Sequence, residues 1–152
     1  MKKAWAATVK SPVNATDVQW KVVPVKLPAK SNLDSIKYLL HKEPSTFLAN
    51  NTSKYIWNQR LKAGKKIDFT SLALGKVRTV QLPGEPFIEF QLAAKKMRPD
   101  LFVTVAGYGD YAPGYICTAK AYDEGGYEPG MASAVTADAE KVMMDAIKKL
   151  LQ

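Results

Sequence analysis

The segment spanning residues 76–106 restricts the fold of this chain more than any other feature. Residues 76–82 have a strand pattern, and an amphipathic helical pattern then opens at Pro86 and runs to about Arg98. Residues 101–106 follow as a nearly continuous apolar run, which is typical of strands at the centre of a covered parallel sheet. These three segments predict a βαβ unit over residues 76–106.

The predicted βαβ unit brings two distant loops together. A crossover helix returns the chain to the same end of a parallel sheet, so the segments that follow the two strands emerge at one carboxyl edge. Glu85 lies in the first of these segments, and the second is a loop over residues 107–115. Because open α/β sheets bind ligands at this edge, we expect Glu85 and the 107–115 loop to converge on a site.

Shorter elements flank this unit on both sides. A strand pattern over residues 17–27 contains Pro24, which requires a sheet edge or a bulge. The last helix, expected from the cap Thr136 to Gln152, repeats apolar residues as a core-facing helix does. We expect one domain over residues 1–152, with a mixed, partly parallel α/β sheet covered by helices. Its other elements are helices over residues 2–9, 33–41 and 46–61 and a strand over residues 67–74 that meets the next strand at Gly75.

The positive charge of the chain does not indicate a nucleic-acid interface. The 22 Lys and Arg residues exceed the 14 Asp and Glu residues and give a formal net charge of +8. The basic residues form only short clusters, and two of these fall where helices are expected to end, a position that favours cations. We therefore interpret the charge as a solvated surface and expect no nucleic-acid partner.

The composition also excludes several classes of covalent link, metal site and targeting segment. Cys117 is the only cysteine, which excludes an intramolecular disulfide and a cysteine-rich metal site. No apolar run approaches the roughly 20 residues that a transmembrane helix needs. The basic N-terminus lacks the apolar segment of a secretion signal, so we expect a soluble, cytoplasmic protein as encoded.

The residues of the two converging loops have both structural and chemical interpretations. Glu85 lies between Gly84 and Pro86, where its carboxylate could cap a helix or bind a cation. Tyrosines of the second loop could stack on a substrate, close the core or bind a metal as phenolates. Cys117 would share the face of Tyr115 on an extended chain, although a buried inert thiol is the default interpretation.

Residues 80–130 resemble a known family. Pro83-Gly84-Glu85, the run from Gly114 to Thr118, Tyr122 and the run from Gly125 to Glu128 are similar in order and spacing to the C-terminal part of the catalytic domain of neutral/alkaline non-lysosomal ceramidases. Departures within this stretch, at Pro86-Phe87 and Tyr111-Ala112-Pro113-Gly114, point to an uncharacterised bacterial branch of that family. The resemblance implies a hydrolase of lipid metabolism.

The resemblance also assigns roles to residues. In that family, zinc is held by two histidines, a glutamate in a Pro-Gly-Glu turn and a tyrosine, which assigns Glu85 and Tyr115 as metal ligands. The implied chemistry is amide hydrolysis by a zinc-bound water whose pKa is lowered towards about 7. The neighbours expected to orient the ligands or to line the substrate site are Tyr108, Asp110, Tyr111 and Cys117.

The family's two histidine motifs have no counterpart in this sequence. The single histidine, His41, falls in an expected helix, where a packed or surface role is more common than a ligand role. The resemblance therefore implies part of a zinc-dependent amidohydrolase for an N-acyl lipid or related amide. Such a chain would be inactive until a histidine-bearing N-terminal subunit, or a homo-oligomer, completes the site. The alternative is a stand-alone, non-catalytic α/β binding module without metal.

Overall fold

The computed structural model describes residues 1–30, 47–109 and 113–152, and it describes side chains in the middle range from residue 54 onward. The helix expected over residues 33–41, with His41, lies outside the described residues. Asp110 and Tyr111 also lie outside them.

The longer described elements follow one another in the order that the sequence predicts, and the structure adds the short elements Glu85–Pro86, Tyr115–Ile116 and Ala119–Glu124. A 3₁₀ turn over Ala15–Asp17 precedes the first strand. The strands are β1 (Val18–Val25), β2 (Ile67–Leu74), β3 (Val77–Pro83), β4 (Glu85–Pro86), β5 (Phe102–Gly109) and β6 (Tyr115–Ile116). The helices are α1 (Lys2–Ala6), α2 (Phe47–Lys62), α3 (Ile88–Met97), α4 (Ala119–Glu124) and α5 (Ala139–Leu151).

The described strands form a four-stranded sheet and a two-stranded sheet. In the larger sheet the order is β1-β2-β3-β5, and both the β1/β2 and the β2/β3 pairs are antiparallel. Strand β5 returns across α3 to lie parallel to β3, which confirms the βαβ unit. In the smaller sheet β4 pairs in parallel with β6. The mixed, partly parallel α/β class predicted from the sequence is confirmed.

The hydrophobic core lies on one face of the larger sheet. Helix α5 packs across β1, β2 and β3, while α3 packs on β5 and on α5. The buried side chains of the sheet include Phe69, Val80 and Val103, which meet Phe90 of α3 and Met143 of α5 in one cluster. Each large apolar side chain that is fully buried contributes roughly 1.5–3 kcal/mol, so this cluster is the main stabilising element.

Both outer strands differ from the usual buried parallel strand. Pro24 lies on β1, which is an edge strand as its proline requires. The expectation that residues 101–106 form a central, covered strand is wrong, because β5 is the opposite edge of the sheet. Its side chains alternate, with Val103 buried and Phe102 67% exposed. An apolar run reveals a strand but not its position in the sheet.

Two helices begin later than their sequence signals suggest. Pro86 belongs to β4 rather than to the first turn of a helix, and α3 begins at Ile88 after Phe87. Pairing with the distant β6 holds Pro86 in an extended conformation. Helix α5 begins at Ala139 rather than after a Thr136 cap, and the Thr136 hydroxyl is buried without a hydrogen-bond partner. Within the described residues no helix is long and apolar enough to cross a membrane.

Candidate functional site

Three loops meet at Gly84, directly after β3. The φ angle of Gly84 is +64°, and a Cβ atom there would lie 2.6 Å from the carbonyl oxygen of Gly114. The amide of Tyr108 donates a hydrogen bond of 2.6 Å to the carbonyl oxygen of Gly84. A side chain at residue 84 would separate these segments, so glycine is required where the chain turns into β4.

The short β4/β6 pair places Glu85 opposite Tyr115. The Glu85 amide donates to the Gly114 carbonyl over 3.0 Å, and the Phe87 amide donates to the Ile116 carbonyl over the same distance. Glu85 and Tyr115 are direct register partners in this pair. Their side chains also interact, since the charge of the Glu85 carboxylate raises the pKa of the Tyr115 phenol. Two residues that are distant in sequence therefore lie side by side on adjacent strands.

The Glu85 carboxylate stabilises the neutral phenol of Tyr115. The negative charge of Glu85 is the largest cause that raises the pKa of Tyr115. Tyr115 therefore remains protonated at neutral pH while no cation is bound. The earlier interpretation of Glu85 as a helix cap is wrong, because the α3 N-terminus has no side-chain cap.

This coupling predicts a change in the titration of Tyr115. We expect Glu85→Gln to lower the pKa of Tyr115, because the substitution removes the charge that opposes phenolate formation. Ultraviolet absorbance of tyrosinate, compared with the same titration in Tyr115→Phe, isolates this residue. Glu89→Gln is the matched control, since Glu89 is an exposed carboxylate in the first turn of α3. An identical Tyr115 titration in wild type and Glu85→Gln would refute the coupling.

The Glu85–Tyr115 pair lies in the wall of a pocket of about 160 Å³. Phe87, Ile88 and Val105 give this pocket an apolar side, and Gln91 adds an amide. Apolar walls with a few polar groups are typical of small-molecule sites. The remaining lining residues are Pro86, Gly107 and Tyr108.

Tyr108 has an unusual backbone conformation at the rim of the pocket. Its φ angle is +60°, and among the non-glycine residues described it is the one with a positive value. A bulky residue in this left-handed region is uncommon and carries strain of order 1–3 kcal/mol. The side chain is 79% exposed although it lines the pocket. The structure thus places Tyr108 beside Glu85 and Tyr115, as the sequence predicts.

An aromatic row supports Tyr115 on both sides. The Tyr115 ring meets Phe87 edge-on at a centroid distance of 6.4 Å and meets Tyr127 edge-on at 6.3 Å. Such edge-to-face pairs contribute about 0.5–1.5 kcal/mol each beyond their buried area. This contact gives Tyr127 a role in orienting Tyr115 that the sequence did not reveal.

Buried Lys54 and half-buried Lys30 brace the segment behind Tyr115. Lys30 donates to the carbonyls of Pro129 and Gly130, each over 2.6 Å, and Lys54 donates to the carbonyl of Met131. Burial lowers the pKa of both lysines, and the Glu85 charge partly offsets this for Lys54. These bonds hold the neighbouring segment, whose Ala132 carbonyl accepts a hydrogen bond from the Tyr115 amide over 3.1 Å.

Cys117 lies apart from the pocket. Its side chain is fully buried and is absent from the pocket lining, and its charged neighbours are Lys30 and Glu128. Burial raises the pKa of Cys117 to about 11, so the thiol is protonated at neutral pH. The structure brings Tyr108 to Glu85 and Tyr115 but does not bring Cys117 there.

The donor set fits half of a metal site. A carboxylate and a phenol at paired register positions are two oxygen donors, and a divalent cation could displace the phenol proton. Four ligands are usual for zinc. Residues 1–30, 47–109 and 113–152 contain no group of three or more His, Cys, Asp or Glu side chains able to hold a metal ion. A zinc site built on Glu85 and Tyr115 would therefore need ligands from outside the described residues.

Comparison with solved structures identifies the fold. The neutral ceramidase from Pseudomonas aeruginosa matches with a TM-score of 0.54 and 13% identity over 88% of this chain. The fold is ceramidase-like. A second ceramidase structure, complexed with C2, matches with a TM-score of 0.50 and 14% identity over 57% of this chain. No protein-family model matches the sequence, and neither does any curated protein.

The ceramidase-like fold of this chain corresponds to a minor part of those proteins. The chain spans 28% of the Pseudomonas aeruginosa protein and 14% of the other ceramidase. At 13% and 14% identity these matches establish a common fold and nothing further about chemistry. The function of this chain therefore has to be argued from its own site.

Sequence reasoning missed the residues that support the site from behind. Lys54 is 8% exposed, yet its position in an otherwise polar helix gave no sign of burial. Gln91 and Val105 were expected only as parts of a helix and a strand.

Proposed function

We propose that this chain is a fragment or split subunit of a ceramidase-like, zinc-dependent amidohydrolase acting on an N-acyl lipid or related amide. The observation that carries the proposal is the Glu85–Tyr115 pair in the wall of an apolar pocket. The ceramidase-like fold supports it, because the pair lies in the segment that resembles the metal-binding part of that family. The chain contributes two metal ligands and is inactive alone.

Glu85 and Tyr115 are the residues that would hold the zinc ion. When bound, zinc supplies Lewis acidity and lowers the pKa of a coordinated water. Tyr115 would give up its phenol proton and hold the ion as a phenolate. Phe87 and Tyr127 fix the Tyr115 ring, so the phenol oxygen remains next to the Glu85 carboxylate.

The rest of the pocket would bind the substrate. Phe87, Ile88 and Val105 form an apolar wall for the part of an acyl chain next to the amide, since a volume of about 160 Å³ holds only a few carbon atoms. The Gln91 amide can hydrogen-bond a substrate carbonyl or amide. Tyr108 would cover the ligand from the rim and exclude water. Asp110 and Tyr111 stay candidates for the same role.

Completion of the site requires further ligands. We propose that they are histidines of a separate N-terminal subunit, of the rest of a longer polypeptide, or of a homo-oligomer. The matched ceramidase is more than three times as long as the matched region, since this chain covers 28% of it. Neither nucleic acid nor a membrane is needed as a partner in this proposal.

Zinc binding to the chelator-stripped chain tests the proposal. With two oxygen ligands we expect weak binding, with a Kd on the order of 0.1 mM. Glu85→Ala and Tyr115→Phe should each weaken it at least about tenfold, since even outer partners of metal ligands contribute 10–100-fold. Calorimetry in two buffers of different ionisation enthalpy should also show proton release, which Tyr115→Phe abolishes.

Glu89→Ala is the matched control, because it removes an exposed carboxylate near the pocket but outside its lining. It should leave zinc affinity unchanged. Zinc binding that is absent, or that both site variants leave intact, would overturn the metal proposal. The non-catalytic binding module would then be the better account of the same pocket.

A further inference from the structure

The strand that carries Tyr115 has another segment on each side. On one side it pairs with β4, which carries Glu85. On the other side the Tyr115 amide donates a hydrogen bond to the Ala132 carbonyl over 3.1 Å. We call residues 131–134 the backing segment. The position of Tyr115 relative to Glu85 therefore depends on where the backing segment lies.

The backing segment also contacts the two residues before Tyr115. The Ala134 amide donates to the Pro113 carbonyl over 2.8 Å, and Ser133 forms an antiparallel bridge with Gly114. A two-stranded pairing of only a few residues is marginally stable by itself. A side chain that fixes the backing segment should therefore have a large effect on Tyr115.

Lys54 spans the junction between the backing segment and Gly114. Its ammonium group donates to the Met131 carbonyl, at the start of the backing segment. Its Cε atom lies 3.3 Å from the point that a Cβ atom on Gly114 would occupy, so the stem of the side chain lies against the residue before Tyr115. Lys54 belongs to α2 and is 8% exposed. One buried side chain thus ties α2 to the backing segment and to the strand of Tyr115.

Packing alone does not account for a lysine at this position. Lysine is rarely buried to this extent unless its charge is paired. Burial lowers the pKa of Lys54 and so does the charge of Lys30, whereas the charge of Glu85 raises it. An apolar side chain of similar length would fill the same space without the cost of burying an ammonium group. The ammonium group, and not only the stem, is therefore the part of Lys54 that requires an explanation.

We propose that Lys54 is a positioning residue that holds Tyr115 beside Glu85 before any metal ion binds. Lys54 is absent from the lining of the pocket, so it acts through Met131 and Gly114 rather than on a bound molecule. A hydrogen bond from a charged donor is stronger than one from a neutral donor, which suits an ammonium group to this role. The consequence for zinc rests on the proposed function, whereas the effect on the backbone does not.

Amide hydrogen exchange of the full chain, followed for each residue by NMR, tests the proposal. Lys54→Met keeps a stem of similar length but has no ammonium group. In this variant the Tyr115 and Glu85 amides should exchange at least about tenfold faster, because a hydrogen bond from a charged group contributes enough for that factor. The amides of β2 and β3 should exchange as in the wild type, because a local opening does not require the larger sheet to unfold. A uniform increase at all amides would indicate general destabilisation and would overturn the proposal.

Two further variants make the comparison specific. Lys141→Met is the matched control, because the exposed Lys141 side chain is paired with Asp145 on α5, and it should leave both amides unchanged. Lys54→Gln replaces Lys54→Met if circular dichroism shows that the latter is unfolded. Its neutral amide is shorter but can still donate to a carbonyl, and the same two amides should exchange faster.

Chemical rescue tests the ammonium group itself. Lys54→Cys in a Cys117→Ala background can be alkylated with 2-bromoethylamine in urea and then refolded, which restores an ammonium group at nearly the length of lysine. The aminoethylated chain should regain slow exchange at the Tyr115 amide. The same chain alkylated with iodoethane has no ammonium group and should not regain it. Equal exchange in the two alkylated chains would overturn the proposal.

Zinc binding separates the failure of this proposal from the failure of the proposed function. Lys54→Met should weaken zinc binding at least about tenfold, since partners behind metal ligands contribute about 10–100-fold. Loss of a positive charge would by itself strengthen the binding of a cation, so weaker binding identifies lost positioning. A wild-type chain that binds no zinc contradicts the proposed function, and hydrogen exchange then decides the role of Lys54. Unchanged exchange of the Tyr115 amide in Lys54→Met overturns that role, whatever the zinc affinity.

Discussion

Gly114→Ala is expected to lower the free energy of unfolding by about 3 kcal/mol. Gly114 has a φ angle of +76°, and a Cβ atom there would collide with the carbonyl oxygen of Ala132. It would also lie 3.3 Å from the Lys54 side chain, which is fixed by its bond to Met131. The backbone would have to move, and the β4/β6 pair with it.

Urea titration followed by Trp57 fluorescence measures this loss, because Trp57 is buried in the core. Gly64→Ala is the matched control, since Gly64 has a similar φ angle of +74° but no atom within 4 Å of the added carbon. That variant should lose only about 1 kcal/mol, from backbone strain. Equal losses in the two variants would show that the close approach at Gly114 has no energetic role. Separation of Glu85 from Tyr115 should also lower the pKa of Tyr115 in Gly114→Ala.

Raising the pH from below 9 to well above 11 is expected to remove roughly 3 kcal/mol of stability through Cys117 alone. Burial raises the pKa of this thiol from 9.0 to about 11, with a smaller contribution from the Glu128 charge. The folded chain therefore holds the thiol proton more tightly than the unfolded chain does. The resulting stability is complete below pH 9 and is lost as the pH rises through about 11.

Cys117→Ala isolates this effect from the titration of lysines and tyrosines. Urea titrations of both chains at pH 8 and above should show a smaller alkaline loss in the variant. The difference between the two chains should reach roughly 3 kcal/mol at high pH, since a shift of about two pKa units corresponds to that free energy. Parallel stability curves for the two chains would contradict the prediction.

The candidate site was predictable in part because it depends on topology. A βαβ unit brings the segments after its two strands to one edge, so the convergence of Glu85 with the 107–115 loop followed from local patterns. The structure pairs Glu85 with Tyr115 at the end of that loop. The metal role of these residues stays a prediction, as do the roles of Asp110 and Tyr111.

The supporting residues were not predictable from the same patterns. Lys54 is buried because its helix lies against the segment that carries Gly114 and Met131, and these contacts join residues that are far apart in sequence. Lysine is rarely fully buried unless its charge is paired, so the expectation of an exposed residue was reasonable. The left-handed backbone of Tyr108 has no sequence signal either, because tyrosine has no preference for that region.

The sequence by itself determined the elements of this protein, the α/β class and the crossover that brings two loops to one edge. It could do so because hydrophobic periodicity and the positions of glycine and proline act over a few residues. The tertiary structure alone decided that β5 is an edge strand and that Pro86 belongs to β4. These outcomes depend on which distant segments pair and which surfaces helices reach, and no local pattern contains that information.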